Sequence, residues 1–180
     1  DGPNQGAALR ELRVVWTTWG QWRDRHPDTR VLSTDTGHIR NYRRDPYGSY
    51  NPRSGYYRPD SERLFPVRNE DERFAPKRVV LGFRDRGHAV AVTPEQLATQ
   101  GIVRVQAGDN RYLILHDPGL GTGWVFRGAS DIAHEEVRFT EQGPRFPGRE
   151  QLTPVNAFKA MWFAWAAFYP DTRVIDGNGG

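Results

Sequence analysis

Trp162-Phe163-Ala164-Trp165-Ala166-Ala167-Phe168-Tyr169-Pro170-Asp171-Thr172-Arg173-Val174-Ile175 repeats a stretch near the start of the chain. The earlier stretch is Trp19-Gly20-Gln21-Trp22-Arg23-Asp24-Arg25-His26-Pro27-Asp28-Thr29-Arg30-Val31-Leu32. Both read W-x-x-W-x-x-x-x-P-D-T-R-V-aliphatic, with an offset of 143 residues from Trp19 to Trp162. Looser echoes precede each: Gly2-Pro3, Gly6 and Leu12 before the first, Gly143-Pro144, Gly148 and Leu152 before the second. Two tryptophans and P-D-T-R-V at one spacing point to an internal duplication. A 180-residue chain with that period holds one complete unit and the tail of an earlier one. The division expected is therefore 1–33, tail of an upstream repeat unit; 34–76, an ordered arm or linker rich in Tyr, Arg and Pro; and 77–180, a complete strand-rich unit. The same reading makes the chain a truncated one, the C-terminal piece of something longer.

Working outward, Thr18-Trp19-Gly20-Gln21 has the form of a capping box, so a short helix is expected over 19–26, ended by Pro27. A short strand is expected over 30–33. The complete unit reads as a hairpin, 79–83 with 88–92. A helix follows that opens at Thr93-Pro94 and closes at Gly101, and then a second hairpin, 102–106 with 112–116. Strands are also expected at 124–127 and 137–140. A final helix over 154–169 carries apolar residues around nearly its whole circumference, which marks it as buried. The fold class expected is α+β: a strand-rich, mostly antiparallel sheet packed against a buried aromatic C-terminal helix.

Composition excludes several chemistries. There is no cysteine, hence no disulfide, thiolate metal site or cysteine nucleophile in these residues. The net charge of +3 is small and spread out, which makes nucleic acid an unlikely partner. The basic residues are 23 arginines and only two lysines, Lys77 and Lys159, as a GC-rich coding sequence gives. A functional use of the guanidinium fork, in stacking or bidentate pairing, is the sharper reading. The longest apolar run, near 157–169, is broken by Lys159 and falls short of the ~20 residues of a transmembrane helix.

Each candidate site also has a structural reading. Asp35-Thr36-Gly37 spells the aspartic-protease triplet, but that chemistry needs two such aspartates sharing a proton, and one copy is present. A turn is the expected role. The five histidines (His26, His38, His88, His116, His134) lack ligand spacing, though a site assembled by folding from His38, His116 and Asp117 stays open. The glycine-rich loop Gly119–Gly123 precedes no helix and fits a flexible connection better than a phosphate cradle. No catalytic residue, metal ligand or cofactor is therefore expected in this chain. The segment 34–76 is the best functional candidate, with Arg40, Tyr42, Arg44, Asp45, Tyr47, Tyr50 and Tyr57 as candidate binding residues. Tyrosine and arginine are enriched in interface hot spots, and a loop this long is often functional. The structural alternative folds the arm over its own domain, tyrosines packed and arginines paired with Asp45, Asp60 and Glu62.

Several segments together resemble DUF3179, a prokaryotic family of unknown function. They are T-T-W-G-Q-W-R-D-R-H-P-D-T-R-V-L-S at 17–33, D-T-G at 35–37, R-D-P-Y at 44–47, L-F-P-V at 64–67, the strand V-V-L-G-F, Asp117-Pro118 and the closing W-F-A-W-A-A-F-Y-P-D-T. The likeness is to the C-terminal half of that family, whose members are typically exported and whose N-terminal half carries a Y-C-P-L-C motif. That motif is absent here: the corresponding strand reads Leu113-Ile114-Leu115-His116-Asp117-Pro118. The resemblance thus implies an extracytoplasmic location, periplasmic or secreted, and carries over no activity. The function expected is a non-catalytic accessory or interaction module that packs on another domain or protein. The partner is a protein, the upstream half, or a membrane complex. The alternative is the C-terminal half of an enzyme or metal or cofactor protein whose cysteine-bearing reactive half lies upstream.

Overall fold

The computed structural model describes residues 2–9, 11–42, 44–50, 52–148 and 152–175. Named strands begin at Val79. β1 (Val79–Asp85) and β2 (His88–Val92) form a hairpin that turns on Arg86 and Gly87, both at positive φ, the geometry of a tight two-residue turn. α1 (Trp19–Arg25) lies far upstream in sequence, and α2 (Pro94–Gln100) follows β2 directly. Thr93 caps α2 by accepting from the Gln96 amide, with proline at its start and Gly101 at its end. β3 (Ile102–Ala107), β4 (Asn110–Asp117) and β5 (Thr122–Arg127) form an antiparallel meander. β6 (Arg138–Thr140) and β7 (Gly143–Arg145) make a separate ribbon. β8 (Thr153–Val155) returns to β5, β9 (Ala157–Met161) crosses to β1, and α3 (Trp162–Phe168) leads to β10 (Arg173–Ile175) beside β2. The sheet orders are β10-β2-β1-β9 and β3-β4-β5-β8. Among the described strands, β10 with β2 is the parallel pairing and the rest are antiparallel.

The two four-stranded sheets share one core. Leu81, Phe83 and Val90 of the first meet Val105, Ile114 and Val125 of the second, with Leu97 of α2 among them. The outer face of the first sheet, Val80 and Ala91, is covered by Trp162, Trp165 and Ala166 of α3. The outer face of the second, Leu113, Leu115 and Phe126, is covered by Leu120, Ile132 and Val137. Covered on both faces, β1 and β4 read as apolar runs rather than as alternation. Trp162 and Trp165 are 0% and 1% exposed. Burying an aromatic side chain removes ~150–250 Å² from water, about 4–6 kcal/mol of transfer free energy each.

Two sequence expectations are corrected here. The helix expected over 154–169 is only α3, and its first half is β8 and β9. Ala157–Met161 pairs along β1, so a sheet edge far away in sequence overrides the local apolar pattern. α3 then starts without a side-chain cap; its first amides are met by Arg78 O at 2.7 Å and Pro76 O at 2.8 Å. The strand expected over 30–33 is not formed, and these residues are exposed. Among the described residues no helix is long and apolar enough to cross a membrane.

Candidate docking surface

The two W-x-x-W segments adopt one local geometry. Each is a seven-residue helix whose C-cap residue sits near φ −130, ψ 70 and donates its amide to the second tryptophan: His26 to Trp22 O, Tyr169 to Trp165 O. The indole N–H of Trp22 donates to Thr29 Oγ1 at 3.0 Å, and that of Trp165 to Thr172 Oγ1 at 2.9 Å. Trp22 stacks on His26 at 4.1 Å; Trp165 packs on Tyr169 at 4.5 Å. The shared P-D-T thus folds back to close the helix onto its own second tryptophan.

Their surroundings differ. In the C-terminal segment Trp165 lies on Gly82 of β1, where a Cβ would stand 2.5 Å from the indole, so only glycine fits beneath it. Trp162 donates to Asp71 and packs edge-on against Phe74. Arg73 lies over the Trp162 ring and donates to Thr172 O and Pro170 O. A hydrogen bond from Arg73 holds the Asp71 carboxyl below the usual carboxylate range, against an opposing effect of burial. In the N-terminal segment Trp19 is 50% exposed, Val31 69% and Leu32 94%. Arg30, Val31 and Leu32 match the residues of β10 but make no backbone hydrogen bond among the described residues.

α1 is held along the flank that adjoins its tryptophan face. Thr18 and Gln21 form the capping box. Arg25 reaches the body and pairs bidentately with Asp117, at 2.9 and 3.2 Å, and donates to Thr140 O. Asp117 is fully buried and also accepts from Leu120 N and Trp124 Nε1, each at 3.1 Å. Four N–H groups satisfying one buried carboxylate make this a specific anchor. Gln21 lies against Gly121, whose positive φ calls for glycine. Gln21 and Arg25 are one turn apart, so the anchored face is not the tryptophan face.

The arm is pinned to the body by Lys77. This side chain is fully buried. Its Nζ donates to Tyr56 O, Ser61 Oγ and Glu62 O at 2.5, 2.7 and 2.8 Å, and lies 3.5 Å from the Tyr56 ring centre. Burial pushes its pKa down and Asp60 pulls the other way. Of the candidate residues, Tyr47, Tyr50 and Tyr57 come together with Tyr56. Tyr50 stacks on Tyr57 at 3.8 Å, and Tyr47 and Tyr56 meet edge-on. Partial burial and a hydrogen bond with Tyr50 raise the Tyr57 phenol. Asp45 accepts from the Tyr47 amide, which fixes the turn before the cluster. Arg40 and Arg44 are exposed, and Tyr42 bonds Thr36 at 2.8 Å; these three sit in the turns that lead to the cluster. Tyr47 and Tyr50 remain about half exposed. Of the arm's arginines, Arg58 pairs with Asp60 and Arg63 with Glu70. Tyr50 also contacts Trp16 at 5.1 Å, which joins the arm to the segment leading into α1.

Between these elements lies a cleft of about 290 Å³ lined by Trp16, Thr17, Gln21, Tyr50, Arg53 and Lys159. Lys159 donates to Gly121 O at 2.7 Å, and burial, with Arg53 nearby, lowers its pKa. His116 is lowered by burial and by His134, whose ring bonds His116 O. Asp117 is committed to Arg25 and exposed His38 lies in a turn. Among the described residues no group of three His, Asp or Glu could hold a metal ion. Asp35 sits in an exposed bend, its amide on Ser33 Oγ.

Sequence reasoning missed Lys77, the Arg25–Asp117 anchor and the exposure of Trp19. The rarity of lysine was a usable signal for Lys77; nothing local marked Arg25 as the partner of a residue 92 positions away.

A family model described as a protein of unknown function, DUF3179, matches residues 1–172. The chain belongs to that family. No curated protein and no solved structure matches it.

Proposed function

We propose that this chain is a non-catalytic interaction module, working outside the cytoplasm, that packs on another domain or protein. The docking surface is the tryptophan face of α1 with residues 30–32; Tyr47, Tyr50 and Tyr57, which reach the segment before α1 through Trp16, form a second patch. One observation carries the reading: a motif that is buried against a sheet at one end of the chain is folded in the same way at the other, where Trp19, Val31 and Leu32 are exposed and Trp22 is half-buried. An apolar face held in shape with nothing on it is a mark of an interaction site. Tryptophan and tyrosine are the residues that dominate such interfaces. Arg40, Tyr42, Arg44 and Asp45 form the rim on this reading. Extracytoplasmic location rests on the family resemblance.

The test is recovery of partners from native extract by the wild-type chain, by Trp19→Ala and by the triple variant Tyr47→Ala, Tyr50→Ala and Tyr57→Ala. Loss of a partner at unchanged melting temperature is the expected result. Recovery of the same partners by all three sinks the proposal. A melting temperature lowered in the triple variant with binding intact would make the tyrosines packing residues of the arm instead.

A further inference from the structure

The geometry points to a definite mode of docking, which rests on the reading just proposed: residues 19–32 complete the sheet of a second unit of this same design. In it residues 30–32 join as a parallel edge strand, Trp22 seats over a glycine, and an acidic side chain meets Arg23.

The C-terminal segment has its partner sheet in place. There β10 lies parallel to β2, with Arg173, Val174 and Ile175 opposite Val90, Ala91 and Val92. The neighbouring strand β1 supplies Gly82 beneath Trp165. Asp71 receives the Trp162 indole, and Arg73 closes over Thr172 O and Pro170 O. Each element of the exposed segment stands ready for the same contacts. Arg30, Val31 and Leu32 offer an open backbone edge, and an extended segment adding to a sheet edge gains affinity through main-chain hydrogen bonds. Among the described residues the Trp19 indole has no acceptor, and Pro27 O and Thr29 O receive no guanidinium. The helix is already folded, capped and anchored by Arg25, so little ordering entropy remains to oppose docking.

Charge defines the partner further. The helix face over the sheet is Trp162, Trp165, Ala166 and Tyr169 in α3, which corresponds to Trp19, Trp22, Arg23 and His26 in α1. Ala166 is buried against Val80 and Ala91, whereas Arg23 is exposed and makes no ion pair among the described residues. A sheet that accepts α1 must therefore carry a carboxylate where this unit has Val80 or Ala91, because an unpaired guanidinium is costly to bury. The unit 77–175 of a second copy does not qualify. Its β2 edge is already taken by β10, the sheet residues packed on Ala166 are the apolar Val80 and Ala91, and the Asp71 carboxylate beside α3 is committed to Trp162 and Arg73.

The experiment replaces Val31 with the photo-cross-linker p-benzoylphenylalanine in the natural gene product, expressed in its own host, and maps the cross-links by mass spectrometry. The expected product joins residue 31 to one strand of a single β-hairpin outside residues 77–175, with a glycine on the adjoining strand and an acidic residue nearby. Cross-links to residues 77–175 in either copy, to a segment that is not a hairpin, to many unrelated chains, or to nothing overturn the proposal. A paired measurement uses Leu32→Pro and Leu32→Val, because Leu32 matches Ile175, whose N–H faces β2. Proline removes that backbone donor, so Leu32→Pro should weaken docking about tenfold or more and Leu32→Val about threefold or less. Residue 32 is exposed, so both variants should keep the wild-type melting temperature. Equal effects of the two contradict strand addition. If Trp19→Ala abolishes association while the cross-links land elsewhere, docking stands and its strand geometry falls; if Trp19→Ala changes nothing, both fall.

Discussion

Trp165→Ala and Trp22→Ala remove the same side chain from the same local geometry, and their stability costs should differ by about 3 kcal/mol. Trp165 is 1% exposed, lies on Gly82, and touches Phe158 and Tyr169. Loss of a buried large aromatic costs about 3–5 kcal/mol, the transfer term plus the cavity left behind. Its hydrogen-bond partner adds little, since Thr172 Oγ1 keeps its bond to Tyr169 O at 2.6 Å. Trp22 makes the equivalent bond and stack but has no sheet against it. Its removal should cost about 1 kcal/mol, the worth of one net hydrogen bond and a partly exposed stack. Urea unfolding of the chain with each variant gives both numbers. Costs within about 1 kcal/mol of each other would show that the N-terminal segment is already packed as the C-terminal one is, and would refute the reasoning.

Arg25→Met should destabilise by about 3–5 kcal/mol, because Asp117 stays buried with a lost counter-charge; adding Asp117→Asn should restore part of that in a double-mutant cycle, and strict additivity would speak against a coupled anchor. Lys77→Met removes the donor shared by Tyr56, Ser61 and Glu62, so limited proteolysis should cut the arm near 56–62 several-fold faster, and an unchanged rate would mean that something else pins it. The Asp71 carboxyl is held below its ordinary value of 3.8, first by its hydrogen bond with Arg73. Its contribution is therefore full above that value and fades as pH falls through the lower folded one. Asp71→Asn should remove that acid-side loss of stability, and superimposable stability–pH curves would contradict the assignment.

Where the sequence was legible, local chemistry decided the outcome. Thr18 with Gln21 and Thr93 with Pro94 marked two helix starts that the structure keeps. Arg86-Gly87 marked the first hairpin turn, and 102–106 with 112–116 were legible as the strands of a second hairpin, which the structure keeps as β3 and β4. Where it was not legible, a distant partner decided. Residues 157–161 carry a helical apolar pattern yet are strand, because β1 offers them an edge. Arg173-Val174-Ile175 is a strand and Arg30-Val31-Leu32 is not, although the two differ by one methyl position. Only the first has a β2 beside it. The candidate site was legible in part. Tyr47, Tyr50 and Tyr57 do come together, but their mooring through Lys77 and their link to α1 through Trp16 depend on tertiary contacts with no sequence signature.

Residue-resolved hydroxyl-radical footprinting of Trp19 bears most directly on the claim that this face docks on a partner. Its modification rate should be high in the isolated chain, as befits a half-exposed indole, and should fall several-fold in the assembly isolated from the native host, while buried Trp162 stays slow in both. A Trp19 rate that is equal in the isolated chain and in the native assembly would contradict the account.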